Sequence, residues 1–203
     1  MFIFERLFIF PIEELYYFQE VKNMLKSYVI VISGVTASGK TTLIQELSHK
    51  LPDCSLISFD DYSIDALPSA PPIDTPIQEA VNQYDISMLM DDFLKVYNKH
   101  HFILVDFPFG YKHDTLKPYI DKVIYIKTPL DVCFARQILR DYTNKDGEQI
   151  RDWVKTYLNF ARPIFVNHDK YISSDADLVI DGLLPLDKKV GLILNEFKLD
   201  NLF

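Results

Sequence analysis

Short runs of consecutive apolar residues alternate along this chain with longer stretches in which apolar residues recur at helical spacing. The short runs are rich in Val, Ile and aromatic residues, which is typical of buried strands. They are YVIVIS (28–33), CSLIS (54–58), HFILVDF (101–107), KVIYIK (122–127) and ADLVID (176–181). The longer stretches predict helices over 40–51, 77–99, 129–143, 147–167 and 185–197.

This alternation predicts an α/β protein in which a five-stranded parallel sheet is covered by helices on both faces, as three layers. Ligands of such sheets bind beyond the carboxyl ends of the strands. The ends of the first three strands are therefore expected to surround one site. The Pro-rich, acidic segment 64–76 is predicted to be a loop near that edge of the sheet and not a linker between domains.

Length and composition indicate one globular domain. The chain has 203 residues, of which 48% are hydrophobic and 25% charged. A formal charge of −8 argues against broad electrostatic binding to nucleic acid or to an anionic membrane, so any phosphate binding must be local. The two cysteines, Cys54 and Cys133, lie far apart in apolar runs, which is typical of reduced packing residues in a cytoplasmic protein.

The first 23 residues have a different character from the rest. They are apolar and aromatic but interrupted by charges and Pro11, so they predict neither a membrane span nor a signal peptide. One hypothesis is that Met24 is the true initiator and that a single domain covers 24–203. The alternative is an amphipathic N-terminal helix, with Leu15 and Phe18 on its apolar face, that docks on the domain or on a partner.

A phosphate-binding pattern directly follows the first predicted strand. The stretch GVTASGKTT satisfies G-x-x-x-x-G-K-[ST] at every position, in the strand-turn-helix context that this loop requires. Its backbone N–H groups and the dipole of the following helix are suited to the phosphates of ATP or GTP. The predicted nucleotide-binding residues are Gly34, Val35, Thr36, Ala37, Ser38, Gly39, Lys40, Thr41 and Thr42.

Three residues are predicted to act at the γ phosphate, either on the phosphate itself or on its Mg²⁺. Lys40 is expected to reach the β and γ phosphates, and the Thr41 hydroxyl to bind Mg²⁺. Asp106 ends the third strand, where proteins with this loop usually carry a carboxylate that holds Mg²⁺ directly or through water. Further positive charge is expected from Arg136, Arg140 and Lys145, although such residues on a helix often form only a solvated face.

Two adjacent aspartates follow the second strand in the stretch SFDDYS. Taken alone, Asp60 and Asp61 could be ordinary turn residues. Two carboxylates this close to a nucleotide would be costly without Mg²⁺ and Lys40, so beside the phosphate loop they indicate an active site.

Together, these motifs resemble the uridine kinase and phosphoribulokinase-like family of P-loop kinases. The resemblance runs from about Tyr28 to Gly182. It includes GVTASGKTT, SFDDYS as an S-x-D-[DS]-[FY] segment, and DKVIYIKTPLDVCFARQILRD as the fourth strand and lid helix. It also includes YLNFARPIFVNH as a Y-x-x-x-V-R-P-like segment and SSDADLVIDG as the last strand. The resemblance implies a P-loop NTPase fold with a small helical lid at about 136–165, ATP and Mg²⁺ as cofactors, and a small-molecule hydroxyl as phosphate acceptor.

The resemblance also implies roles for individual residues. Asp60 would accept the proton of the substrate hydroxyl, which orients that hydroxyl towards the γ phosphate. Asp61 and Tyr62 would lie beside the substrate, and Arg136 and Arg140 would close over the phosphates. Arg162 would contact the substrate, hold the lid or simply pack; the alternatives stay open.

Departures from the family pattern concern the lid and the acceptor. Gln137 replaces one lid arginine, and Lys145 stands where an arginine is common. The family's nucleoside-binding segments are absent or weak, so uridine or cytidine is not assured as the acceptor. Tyr111, Lys112 and His113 could define a smaller or anionic acceptor, while His113 could equally be a surface residue. Tyr84 and Asp85 are weaker candidates that could simply start a helix.

The function predicted from sequence is therefore an ATP-dependent kinase that acts on a nucleoside-like or sugar-like metabolite. One alternative is a regulatory nucleotide-binding protein without efficient phosphoryl transfer. Another is a phosphotransferase for an antibiotic or other foreign alcohol. Neither nucleic acid nor a membrane is an expected partner, and the oligomeric state stays open.

Overall fold

The computed structural model describes residues 26–64, 70–72 and 75–199. The hypotheses about residues 1–23 and Met24 concern a part of the chain outside these ranges, as does much of the predicted loop 64–76. No helix in the described ranges combines the length and apolar character needed to cross a membrane.

Five parallel strands form one sheet. They are β1 (Tyr28–Ser33), β2 (Cys54–Ser58), β3 (Phe102–Asp106), β4 (Lys122–Lys127) and β5 (Leu178–Asp181). Their order across the sheet is β2-β3-β1-β4-β5, and every neighbouring pair is parallel. The predicted α/β fold with a five-stranded parallel sheet is confirmed, although β3 and β5 are shorter at their ends than the sequence predicts.

Seven α-helices connect and cover the strands in the described ranges. They are α1 (Lys40–Lys50), α2 (Ile77–Ala80), α3 (Ser87–Val96), α4 (Leu130–Asp141), α5 (Gly147–Thr156), α6 (Arg162–Ile172) and α7 (Leu186–Glu196). Short 3₁₀ turns cover Phe59–Tyr62, Val81–Gln83, Gly110–Lys112, Lys117–Tyr119 and Ser173–Asp175, and a π-helical turn, Tyr157–Ala161, joins α5 to α6.

Side chains of the central strand alternate between two hydrophobic cores, as the two-residue period of a strand requires. Val29 and Val31 belong to the core that includes Phe93 of α3. Ile30 and Ile32 belong to the core on the other face, which α1 and α7 complete with residues such as Leu43, Leu47 and Ile193. Both faces of the sheet are therefore covered, and the open edge lies beyond the carboxyl ends of the strands.

Two of the predicted helices are interrupted. The helix predicted over 77–99 is wrong as one element: α2 ends at Ala80, a 3₁₀ turn follows, and α3 begins at Ser87. The Asp85 carboxylate accepts a hydrogen bond from the Ser87 N–H at 3.0 Å, which satisfies a backbone donor at the new start. The helix predicted over 147–167 begins at Gly147, after a capping box at Asp146, but contains the π-helical turn.

Candidate active site

The loop between β1 and α1 is shaped by two glycines with positive φ. Gly34 has φ +151° and Gly39 has φ +105°. A Cβ atom at Gly34 would lie 2.7 Å from Ser38 Oγ and 2.9 Å from the Ile126 carbonyl oxygen, so a side chain there has no room. The Ser38 N–H donates to the Val35 carbonyl oxygen at 3.1 Å, which closes the turn. The sequence pattern thus produces a tight loop at the start of a helix, the arrangement that binds phosphate.

Lys40, Thr41 and Asp106 lie together at the end of this loop. Lys40 Nζ is 3.8 Å from Asp106 Oδ1, and the Thr41 hydroxyl donates to Asp106 Oδ2 at 3.3 Å. The strand register explains this meeting, because Ile32 near the end of β1 pairs with Asp106 at the end of β3. Burial raises the pKa of the Asp106 carboxyl, the Lys40 charge opposes that shift, and Asp60 and Asp61 add to it.

This cluster suits Mg²⁺ held together with a nucleotide. A hydroxyl and a carboxylate supply oxygen ligands, which Mg²⁺ prefers. The described ranges contain no group of three or more His, Cys, Asp or Glu side chains that could hold a metal ion by itself. Mg²⁺ usually binds through one or two carboxylates and substrate phosphates, so the residues present fit that role. Metal binding by Thr41 and Asp106 stays a prediction.

A cavity of about 680 Å³ opens over the loop. Its lining has two ends because of the strand order. Segments directly after β2 and β3 lie on one side of the phosphate loop, and α4 and α7, which directly follow β4 and β5, lie on the other. The later helix α6 packs against α2 and Phe109 and so lines the first side. Asp60 is exposed in the lining on the β2 side, whereas Arg136 and Lys189 line the β4 and β5 side.

The end beside Asp60, the acceptor end, is mainly aromatic and apolar. It is lined by Phe59, Ile77, Tyr84, Pro108, Phe109, Ile164, Phe165 and His168. The rings of Tyr84 and Phe109 are tilted at a centroid distance of 4.7 Å, and Phe59 meets Phe109 edge to face at 5.7 Å. These contacts fix a rigid apolar wall. In the lining drawn from the described residues, the carboxylates are Asp60 and Asp106, and no Lys or Arg follows β2 or β3.

His168 also lies in this wall and is not among the site residues predicted from the sequence. It is buried, with Nδ1 3.4 Å from the Tyr125 hydroxyl and its ring near Phe109. Burial, reinforced by the Lys40 charge, lowers the pKa of His168 to about 4. The imidazole is therefore neutral near pH 7 and acts as an uncharged polar group in the cavity.

Several residues selected from the sequence lie elsewhere. Asp61 is exposed but is not in the cavity lining, and the Tyr62 hydroxyl donates to Asp92 at 3.1 Å. Arg162 is exposed and also outside the lining. His113 is buried behind Phe109 and contacts the Tyr84 carbonyl oxygen at 3.2 Å, so it is neither a surface residue nor part of the cavity lining.

The possible anionic-acceptor residues are engaged on the outside of the domain. Lys112 Nζ lies 2.7 Å from Asp175 Oδ2, and the Tyr111 hydroxyl donates to Asp177 at 2.7 Å. Neither side chain lines the cavity. The structure gives no support to a role for these two residues in binding an anionic acceptor.

The two predicted lid arginines both line the cavity. Arg136 Nη1 donates to the Ser38 carbonyl oxygen at 3.4 Å, which joins α4 to the phosphate loop. Arg140 forms two hydrogen bonds with Asp141, at 2.7 and 3.0 Å. Lys145 is exposed and lies outside the lining. Closure of these residues over phosphates stays a prediction.

Thr128 and Gly182 support the phosphate loop from the β4 and β5 side. The Thr128 hydroxyl donates to the Ser38 carbonyl oxygen at 2.8 Å. A Cβ atom at Gly182 would lie 1.7 Å from Thr128 Oγ1 and 3.1 Å from its Cα. The absence of a side chain at position 182 therefore lets Thr128 reach the loop.

We expect Gly182→Ala to destabilise the protein by about 1–3 kcal/mol, because the added methyl group must displace Thr128. Urea unfolding measures the loss of stability, and calorimetric titration with ADP measures the effect on the phosphate loop. Both the free energy of unfolding and the affinity for ADP should fall. Gly191→Ala is the matched control, because Gly191 is exposed in α7 and its Cβ would meet no atom within 4 Å. Equal stability of Gly182→Ala and the wild type would contradict this account of the loop.

Comparison with known proteins agrees with this architecture. The sequence model described as "Phosphoribulokinase / Uridine kinase family" matches residues 94–187. A uridine kinase from Borrelia garinii subsp. bavariensis is 26% identical over 182 residues, covering 75% of this chain and 85% of the relative. Human nicotinamide riboside kinase 1 is 58% identical over a shorter span of 38 residues, 19% of each chain.

Solved structures share the fold. The protein TT1252 from Thermus thermophilus aligns with a TM-score of 0.52 at 14% identity, over 84% of this chain and 98% of that one. The tunicamycin resistance protein of Deinococcus radiodurans aligns with a TM-score of 0.50 at 15% identity, over 85% of this chain and 96% of that one. The family resemblance predicted from the motifs is confirmed.

Proposed function

We propose that this chain, which is similar to the phosphoribulokinase/uridine kinase family, transfers the γ phosphate of ATP to a hydroxyl group of a nucleoside. The observation that carries this proposal is the exposed Asp60 carboxylate in the same cavity as Lys40, Thr41 and Asp106. This arrangement offers a proton acceptor on one side of the transferred group and phosphate-binding groups on the other.

In the proposed reaction, Asp60 accepts the proton of the acceptor hydroxyl while the oxygen of that hydroxyl forms a bond to the γ phosphorus. The bond between that phosphorus and the oxygen bridging the β and γ phosphates breaks, and ADP leaves. Lys40 neutralises charge on the phosphates. Arg140 also lines the cavity, close enough to Asp60 for that charge to raise its pKa, and adds further positive charge. Mg²⁺, when bound at Thr41 and Asp106, neutralises further phosphate charge.

The lining of the acceptor end favours a nucleoside over a free sugar. Fixed aromatic rings such as Phe109 and Tyr84 can pack against a planar base, and a nucleoside covers more of their surface than a sugar alone does. The Asp60 carboxylate at this end disfavours an anionic acceptor.

Two of the similar proteins, a uridine kinase and a nicotinamide riboside kinase, suggest uridine and nicotinamide riboside as the nucleosides to test. We rank nicotinamide riboside first. Its base carries a positive charge, which is attracted both to aromatic faces and to the Asp60 carboxylate. Uridine instead presents a hydrogen-bonding edge, and the acceptor end supplies few polar side chains to meet it.

A screen of nucleosides, free sugars and vitamins for substrate-dependent ADP release with Mg-ATP tests the proposal. We expect stimulation by nucleosides, with nicotinamide riboside giving the highest kcat/KM and mass spectrometry finding one added phosphate. ATP binding without stimulation by any compound would instead favour a regulatory nucleotide-binding protein. Stimulation only by free sugars or vitamins would overturn the nucleoside assignment.

A further inference from the structure

Lys189 is a buried cation in the cavity that the phosphate-transfer chemistry does not use. It lies in the second turn of α7, with 8% of its surface exposed. Its ammonium group donates to the Gly182 carbonyl oxygen at 2.9 Å. An ammonium group has three donors, and among the described residues the Gly182 carbonyl takes one of them, which leaves two for a cavity ligand. A lysine is rarely buried without such partners.

The position of Lys189 places it at the end of the cavity opposite the acceptor. It follows β5, whereas Asp60 follows β2, and the phosphate loop after β1 lies between them in the sheet order. A nucleotide whose γ phosphate points towards Asp60 must extend its nucleoside the other way. That direction leads to Arg136, Leu186 and Lys189, which all line the cavity.

The charges at this end call for a ligand rich in hydrogen-bond acceptors. Arg136 lies close enough to Lys189 to disfavour its charged form, and burial does so more strongly; both lower the pKa of Lys189. Asp181 opposes this shift but does not line the cavity. Leu186 supplies an apolar surface beside the two cations, which suits the face of a planar base.

We propose that Lys189 donates a hydrogen bond to the base of the phosphate donor and makes guanine accepted at least as well as adenine. A guanine base presents two neighbouring acceptors, O6 and N7, to a lysine, whereas adenine presents N7 beside an amino donor. This proposal rests on the proposed function only in requiring that the phosphate loop binds a purine nucleotide.

Calorimetric titration of the full chain with ADP and with GDP, in Mg²⁺ and without an acceptor, tests this assignment. Wild-type protein should bind GDP no more weakly than ADP. Lys189→Met should weaken GDP binding about tenfold relative to ADP binding, because a hydrogen bond from a charged donor is lost. Lys188→Met is the matched control, since Lys188 is exposed on the same helix and outside this cavity, and its selectivity should equal that of the wild type.

A purely structural or phosphate-binding role gives a different result. Equal weakening of ADP and GDP, or unchanged binding of both, would overturn the base contact while leaving the kinase proposal standing. Failure of the wild type to bind either nucleotide would instead overturn the proposed function. If Lys189→Met does not fold, Lys189→Gln keeps an N–H donor without the charge and should lose part of the guanine preference; an unchanged ratio in that variant would overturn the proposal.

Discussion

Asp60→Asn should lower kcat for phosphorylation of the preferred nucleoside by roughly 10²- to 10⁴-fold, the usual contribution of a positioned general base. Asparagine has nearly the same shape but cannot accept the hydroxyl proton. Asp60 is the second residue of the 3₁₀ turn Phe59–Tyr62 and is exposed, so the substitution should affect folding little. Single-turnover kinetics with Mg-ATP and calorimetric ADP binding separate the chemical step from nucleotide affinity, which should stay nearly constant.

The adjacent carboxylate provides the control for this variant. Asp61 is also exposed and belongs to the same turn, but it does not line the cavity. Asp61→Asn removes the same charge and should reduce kcat far less. Equal losses in the two variants would show that the turn's overall negative charge matters and that Asp60 is not a specific proton acceptor. Full activity of Asp60→Asn would remove it from the mechanism.

Asp106→Asn should have opposite effects on activity and on stability. Loss of a carboxylate that holds Mg²⁺ should reduce kcat/KM by on the order of 10²-fold or more. Without Mg²⁺ and nucleotide, however, the variant should melt at a higher temperature than the wild type near pH 7. The reason is that burial raises the pKa of Asp106, so its negative charge lowers the free energy of unfolding near pH 7.

The pH dependence distinguishes this explanation from a general packing effect. Because the folded-state pKa is raised, the ionised carboxylate destabilises the wild type above that pKa, and the cost disappears below the unfolded-state pKa. The difference in Tm between variant and wild type should therefore shrink as the pH falls towards the ordinary aspartate range. Mg-ADP should raise the Tm of the wild type more than that of the variant. A lower Tm for Asp106→Asn at pH 7 would contradict the inferred cost.

The sequence predicts the strands and the phosphate loop well because their signals are local. Continuous apolar runs bounded by polar residues gave the positions of β1, β2 and β4, and the loop pattern contains the glycines that its turn requires. Asp106 could be selected because its place at the end of β3 follows from the strand assignment, and the structure puts it beside Thr41.

The rest of the cavity depends on contacts between distant segments. Phe109 and His168 lie in two different connections between strands, and Lys189 lies in α7 after the last strand. They share no motif, so only the folded sheet brings them to one cavity. For Lys189 there was a usable signal, since it occupies a position of α7 next to the apolar Val190 and Ile193. His113 shows the converse: a histidine between charged residues was expected to be at a surface or in the site, yet it packs behind Phe109.

The π-helical turn Tyr157–Ala161 sets how α6 faces the cavity. Each i→i+5 hydrogen bond encloses one more residue than an α-helical bond does, so this turn acts as a one-residue insertion. Removing one residue there would restore an uninterrupted α-helix and rotate everything after it by about 100°. Ile164, Phe165 and His168, which line the acceptor end, would then turn away from the substrate together. A change in the length of this turn alone would therefore present a different face of α6 to the acceptor, without any substitution among the residues that line the cavity.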